Sequence, residues 1–427
     1  MIKKQIIKLY HKVSGLAVVH MAVCVYNHGT FWSNFASYLR LKKTAKKLNQ
    51  QSFDKINTIF ICQNISVWSK VRPVYEQMKR DGRFRVWIVA VADLIDKNGE
   101  NGALKYLTGL GYEDVINADT GGGWFDLRTL HPYYVFLPKP YEQYMPPQYQ
   151  SKVISSYSKI CYLLYGLETT KVIIPFTYSR LFFRNVTVYL AENKYYARFN
   201  QKRMAWSHRK KVRRSLNLGY PAFETVSQLK QEPHDPPLRV LWTPRWSEDK
   251  EVGGGNFIRY KDEMPDFIES HEEMAMTFRP HPMTFYHFVS VKRMTEEDVA
   301  AYKKRYQESE RLRIDETPNY LEAFKWSDVL VSDTSSLVIE YACLKKPQIF
   351  CNTGCKNSPD MDILTKGFYI ADSMEDVKKY LLMLSRGEDP LKEKRIQICD
   401  EMFGNNIVNT SRRITEALAR EFARGRE

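Results

Sequence analysis

The chain has 427 residues, 44% of them hydrophobic, enough to bury the cores of about two domains and to set disorder aside. Its 64 Lys and Arg against 49 Asp and Glu leave a formal charge of +15, which favours anionic partners: nucleic acid, anionic lipid or phosphate-rich substrates. The seven cysteines contain no Cys-x-x-Cys pair, and the closest two, Cys351 and Cys355, have no histidine beside them. That pattern speaks against a disulfide framework or a zinc ribbon and for a reducing compartment.

Lys3, Lys4 and Lys8 precede a mostly apolar stretch, 16–26, interrupted by His20. It is shorter than the roughly 20 residues a membrane-spanning helix needs, and no small-x-small cleavage site follows it. With Arg40, Lys42, Lys43, Lys46 and Lys47 further on, residues 1–54 read as a basic, partly amphipathic segment. Such a segment suits an anionic membrane surface or an N-terminal helix docked on the first domain, and both readings stay open.

Thr58-Ile59-Phe60-Ile61-Cys62 is a short β-type run; a helical stretch over 69–81 follows, and then the apolar run 86–91, as expected of a buried parallel strand. The rhythm continues with a helix near 102–110, a strand near 115–117, a turn at Gly121-Gly122-Gly123 and the run 133–137, ended by Pro138. A first α/β domain is expected over 55–205. The basic run 202–214 lacks any recognised nucleic-acid module around it and reads as a solvated helix face leading between domains, so nucleic acid is not an expected partner. Strand-like runs at 238–243, 274–279, 328–332 and 347–350 set out a second α/β domain, 215–385, followed by a helical tail, 386–427.

Three stretches of the second domain carry chemistry. The buried run Val329-Leu330-Val331 enters Ser332-Asp333-Thr334-Ser335-Ser336 and then an apolar-periodic helix. A strand-to-helix junction of this kind offers free backbone N–H groups and a helix dipole to a diphosphate, and Ser335 and Ser336 add hydroxyl donors. Glu340, four residues after Ser336, shares its helix face, where a carboxylate suits ribose hydroxyls; an exposed surface Glu is the plainer alternative. Arg279-Pro280-His281-Pro282 sets a permanent cation and a histidine, stiffened by prolines, at a strand end. Thr243-Pro244-Arg245 ends another strand, so that Thr243 and Arg245 face the same cleft in a doubly wound sheet.

These elements, in this order, resemble the CDP-glycerol glycerophosphotransferases, which make glycerol- and ribitol-phosphate polymers of the teichoic-acid type. Their members carry a Thr-Pro or Pro-Thr strand end, an Arg or Leu followed by His-Pro, and Ser-Asp-x-Ser-Ser with an acidic residue four places on. Here these are Thr243-Pro244, residues 279–282, and residues 332–340. Gly219-Tyr220-Pro221 and the stretch 342–347 extend the likeness, which is specific over about 215–350 and loose before that. The resemblance implies an α/β GT-B-like fold: two Rossmann-like domains facing a cleft, here with an N-terminal basic helical segment.

It also implies an enzyme that moves an alditol phosphate from a CDP-linked donor to an acceptor hydroxyl, releasing CMP. The implied setting is bacterial cell-wall or capsule synthesis, on a cytoplasmic protein peripheral to the inner face of the membrane. The implied partners are the nucleotide diphosphate–alditol donor and a lipid-linked or polyanionic glycan acceptor. Arg279, His281, Ser335 and Ser336 would hold the phosphates and Glu340 the ribose, with Thr243, Arg245, Ser332, Asp333 and Thr334 completing the donor site. No Asp-x-Asp motif is present, so no built-in metal or cofactor is expected.

One departure concerns the acceptor. Where many members have Trp-His-Gly, this chain reads Leu164-Tyr165-Gly166-Leu167-Glu168, leaving the acceptor base open among Tyr165, Glu168 and the distant His131. Two other functions stay open: a GT-B glycosyltransferase or epimerase acting on a UDP-sugar, and a non-enzymatic binder of nucleic acid or anionic membrane.

Overall fold

The computed structural model describes residues 31–63, 65–92, 101–172, 181–230 and 233–426. The apolar stretch 16–26 and its flanking lysines lie outside the described residues.

Two wholly parallel sheets organise the chain. The first has the order β3-β2-β1-β4-β5-β6-β7: β1 Ile56–Cys62, β2 Phe84–Ala90, β3 Val115–Asn117, β4 Tyr134–Phe136, β5 Lys159–Leu163, β6 Val186–Ala191 and β7 Arg214–Asn217. The second has the order β10-β9-β8-β11-β12-β13: β8 Leu238–Thr243, β9 Met274–Phe278, β10 Leu312–Ile314, β11 Val329–Ser332, β12 Gln348–Cys351 and β13 Tyr369–Ala371. Each order reverses direction once, between β1 and β4 and between β8 and β11. Doubly wound sheets open their ligand crevice at such points, outside the carboxyl ends of the strands.

The continuous apolar runs of the sequence are strands because both sheet faces are covered. In β11, Leu330 packs into a core shared with the first domain, whereas Val329 and Val331 point to a second core on the opposite face. The first sheet continues past residue 205 through β7, so the basic run 202–214 is a solvated helix face only over its first part. Arg213 donates through Nε to Val186 O (2.9 Å), and Arg214 opens β7.

The helix Phe31–Gln50 docks on the first domain. Tyr38, Leu41 and Leu48 are buried, Thr44 Oγ1 donates to Ser155 O (2.9 Å), and Arg40 reaches Ser155 and Asn185. Lys42, Lys43, Lys46 and Lys47 stay exposed on its outer face. No helix among the described residues is long and apolar enough to cross a membrane.

The tail crosses back. The helix Thr410–Arg424 buries Ile414 and Leu418 against the first domain's helix Ile65–Arg80, and Leu418 O accepts from Tyr134 Oη (3.0 Å). Glu224, in the helix Pro221–Ser227 that links the two sheets, accepts from Ser411 N (3.0 Å) and Ser411 Oγ (2.8 Å), and so caps the start of the tail helix.

Candidate active site at the interdomain cleft

The turn 332–336 leaves β11 at the switch point of the second sheet, and its residues divide by role. Ser332 is buried and exchanges hydrogen bonds with Thr243 across the two strand ends: Thr243 Oγ1 donates to Ser332 Oγ (2.8 Å), and Ser332 Oγ donates to Thr243 O (2.6 Å). Asp333, also buried, accepts from the backbone N–H of Arg245 (2.7 Å) and of Asn256 (2.8 Å). Burial pushes its carboxyl up to about 6 against these hydrogen bonds. Thr334 Oγ1 donates to Gly254 O (2.8 Å). These four side chains, Thr243 included, turn inward and fix the 244–256 loop, a scaffolding task rather than direct contact with a ligand. Ser335 and Ser336 stand at the cleft, half-buried.

The helix that follows, Leu337–Tyr341, has only five residues before a 3-10 turn, Ala342–Leu344. Its dipole is correspondingly small, so hydroxyls and side-chain cations dominate the electrostatics of this turn.

Arg245 supplies one such cation. Its Nη1 donates to Thr334 O (2.8 Å), while its Nε is buried with no hydrogen-bond partner. Burial lowers its pKa, and the nearby carboxylates of Asp333 and Glu168 oppose that. Arg279 continues the β9 ladder, its N–H donating to Trp242 O (2.8 Å). Its guanidinium is clasped by the Asp315 carboxylate and by Thr317 O (2.6 Å), a partnership beyond β10 that sequence reading missed.

His281 keeps open surface and lies against the Trp246 ring, with centroids 6.1 Å apart. Its Nδ1 accepts from Met283 N–H (3.1 Å), so the neutral ring carries its proton on Nε2. Desolvation first and Arg245 second hold the imidazole below its ordinary range. His281 is therefore equipped as a neutral hydrogen-bond donor to an anion.

Glu340 departs from the plainer sequence reading. It is fully buried rather than an exposed surface Glu, and it is already engaged: Lys70 Nζ lies 2.5 Å from both carboxylate oxygens, and Tyr320 Oη donates to Oε2 (2.5 Å). A ribose hydroxyl would have to share this carboxylate with Lys70, which comes from the Ile65–Arg80 helix of the first domain. A sequence signal for Lys70 existed, because it interrupts the apolar stripe Val67, Val71 and Val74.

The first domain meets this site through residues 164–171. Thr169 Oγ1 donates to Thr334 O (2.8 Å), and Ser358 N donates to Thr169 O (2.9 Å). A Cβ added to Gly166 would stand 3.7 Å from Ser336 Oγ. Tyr165 and Glu168 are thereby both brought to the cleft. Tyr165 Oη shares a hydrogen bond with Tyr141 Oη (2.6 Å), and burial ahead of that neighbour raises its pKa well above the ordinary tyrosine value. It is thus no proton acceptor near neutral pH. His131 precedes β4 and caps a 3-10 turn at the amino edge of the sheet, where Asn57 Nδ2 donates to its carbonyl (3.2 Å). The fold leaves it at the opposite edge from the cleft, whereas Glu168 is buried on the 164–171 loop, close enough to Arg245 to influence its charge.

A second carboxyl, also missed, lies buried at the carboxyl end of β6. Glu192 follows β6, is buried, and has Oε1 without a hydrogen-bond partner. Burial, reinforced by Asp360 from the second domain, pushes it up to about 8.

The comparisons with known proteins bear on this site. The model of the family described as CDP-Glycerol:Poly(glycerophosphate) glycerophosphotransferase matches residues 196–375. No curated protein matches the chain by sequence. Among solved structures, the wall teichoic acid polymerase TagF, as its H444N form with CDPG, is similar at a TM-score of 0.54 and 14% identity, over 93% of this chain and 100% of that one. MnaA of S. aureus, solved with UDP, is similar at 0.57 and 12%, over 87% and 97%. A UDP-N-acetylglucosamine 2-epimerase from Listeria monocytogenes is similar at 0.56 and 13%, over 87% and 97%. At such identities the structures share a fold, the GT-B arrangement of two facing Rossmann-like domains. The part of the chain that matches this family's model, residues 196–375, carries Arg245, the 279–282 loop, the serine turn and Glu340.

Proposed function

We propose that the cleft transfers an alditol phosphate from a CDP-linked donor to an acceptor hydroxyl, with the donor held by the second domain. The observation that carries this reading is convergence. Arg245, the Nε2–H of His281, and the hydroxyls of Ser335 and Ser336 come from three separate strand ends and meet at one switch point. Fixed donors and cations of this kind stabilise charge developing on a phosphoryl group.

Acceptor-side roles follow from position. Glu168 is the candidate proton acceptor for the attacking hydroxyl. The helix Lys194–Arg203, which follows β6, presents Lys194, Tyr195, Arg198, Phe199 and Lys202 along one face, beside an open space of about 460 Å³. It suits a polyanionic acceptor. The exposed lysines of the Phe31–Gln50 helix suit an anionic membrane surface on the cytoplasmic side, where a lipid-linked acceptor would be met.

The test is CMP release from CDP-glycerol and CDP-ribitol over a panel of phosphorylated and lipid-linked acceptors. Release that disappears in Arg279→Ala and His281→Ala is the expected result. The epimerase structures share the fold as closely as TagF does, so a UDP-sugar is the second reading; UDP binding by calorimetry without CDP binding would select it.

A further inference from the structure

We propose that Lys70, contributed by the first domain, is a catalytic residue of the transfer, its ammonium touching the phosphoryl group that passes from donor to acceptor. The inference rests on the reaction read above and adds a residue to it from the other side of the cleft.

The position of Lys70 is costly. It lies on the apolar face of the Ile65–Arg80 helix between Val67 and Val74, with its side chain 7% exposed, and an ammonium buried this far loses several kcal/mol of hydration before any partner repays it. The repayment is elaborate: both oxygens of Glu340 at 2.5 Å and the face of the Tyr320 ring at 4.0 Å. A contact serving only to join two domains is made at least as well by apolar side chains of the same volume.

The surroundings supply a use. On the donor side, the partner of Lys70, Glu340, stands one helical turn after Ser336. Arg279 is close enough to repel Lys70 electrostatically. On the acceptor side, Lys70 lines a small cavity of about 20 Å³ at the carboxyl ends of β1, β4 and β5, together with Leu137, Pro138, Leu164 and Tyr165. Lys70 thus borders both Glu340 of the serine-turn helix and the Tyr165 loop. A transferred phosphoryl group passes between those two places.

The chemistry assigned to Lys70 moves no proton. The acceptor oxygen forms its bond to the β-phosphorus as the bond from that phosphorus to the bridging oxygen breaks, CMP leaves with the electron pair, and the acceptor proton goes to the base. Lys70 remains an ammonium and neutralises charge on the non-bridging oxygens. A ribose hydroxyl arriving at Glu340 takes over part of its hydrogen-bonding capacity and turns Lys70 N–H groups toward the phosphates.

The experiment measures kcat and KM for CDP-glycerol in wild type, Glu340→Gln, Lys70→Arg and the pair Lys70→Met with Glu340→Gln, with thermal melting of each. The double variant removes both buried charges and is expected to fold with a melting point near that of wild type. Relative to Glu340→Gln, its kcat is expected to fall at least 100-fold with KM within fivefold, and Lys70→Arg to keep part of the turnover. A double variant whose kcat stays within threefold of Glu340→Gln overturns the proposal, because Lys70 would then serve only to neutralise Glu340. If the double variant does not fold, Lys70→Arg decides: turnover reduced at unchanged melting point and donor affinity supports the proposal, and full turnover despite the altered cation geometry overturns it. A wild type that releases no CMP counts against the reaction itself, and the proposal falls with it.

Discussion

Replacing Gly253 with alanine tests whether the 244–256 loop holds Arg245 ready for the donor. Gly253 has φ +108°, and a Cβ there would stand 2.9 Å from Thr334 Oγ1 and 3.3 Å from Arg245 Cζ. The backbone conformation alone costs a side-chain-bearing residue about 1–3 kcal/mol. Relieving the contact requires Thr334 to give up its buried bond to Gly254 O, worth about 1 kcal/mol. The sum, about 2–4 kcal/mol, corresponds to roughly 5–15 °C in melting temperature for a unit of this size. Arg245 is pushed off Thr334 O by the same contact, so donor affinity is expected to fall about tenfold or more, as roughly 1.4 kcal/mol of lost interaction implies. Gly387 is the control: its φ is +77°, and an added Cβ meets nothing within 4 Å, so its alanine variant carries the backbone cost alone. The readouts are differential scanning fluorimetry and titration calorimetry with CDP-glycerol. If Gly253→Ala melts like Gly387→Ala and binds donor like wild type, the loop does not position Arg245.

Three further outcomes are expected. Thr169→Val removes a buried hydroxyl bond between the domains and should lower stability by about 1 kcal/mol in urea titration, with a matching loss of donor-induced stabilisation; an unchanged titration would mean that the 164–171 loop is not docked in solution. Asp315→Ala frees the Arg279 guanidinium and should weaken CDP-glycerol binding at least tenfold by calorimetry, whereas unaltered affinity would show that Arg279 needs no clasp. Glu192 has a folded pKa of about 8 against an ordinary 4.5, so its contribution is fully present below 4.5 and is lost as pH rises toward 8. Glu192→Gln should therefore gain on wild type between pH 5 and 8, by up to about 1.4 kcal/mol per pH unit. Parallel pH profiles for the two proteins in thermal melts would refute the assignment.

What the sequence disclosed depended on how far each signal reached along the chain. β1, β2, β8, β11 and β12 are legible because both faces of a parallel sheet are covered, which leaves uninterrupted apolar runs. β5 opens on a lysine that the fold buries, Lys159 Nζ donating to Tyr133 Oη (2.7 Å), and β7 only begins on Arg214, the last residue of the basic run. Neither opening announces a strand. On the donor side, local order sufficed to find Arg245, the 279–282 loop and the serine turn. It did not separate Ser335 and Ser336, which line the cleft, from Ser332, Asp333 and Thr334, which hold the neighbouring loop, because that division depends on which way the turn rolls. The partners of Glu340 lay out of reach as well: Lys70 is 270 positions away, and no periodicity links two domains.

The tail helix has a consequence for how this protein is made. Residues 55–217 leave the ribosome early, yet Tyr134 and the Ile65–Arg80 helix receive their covering only when 410–424 emerge. The domain synthesised first is thus completed last. Until then its nascent chain carries an uncovered apolar face past the whole of the second sheet, a period in which a chaperone or a slow stretch of translation would have most effect on yield.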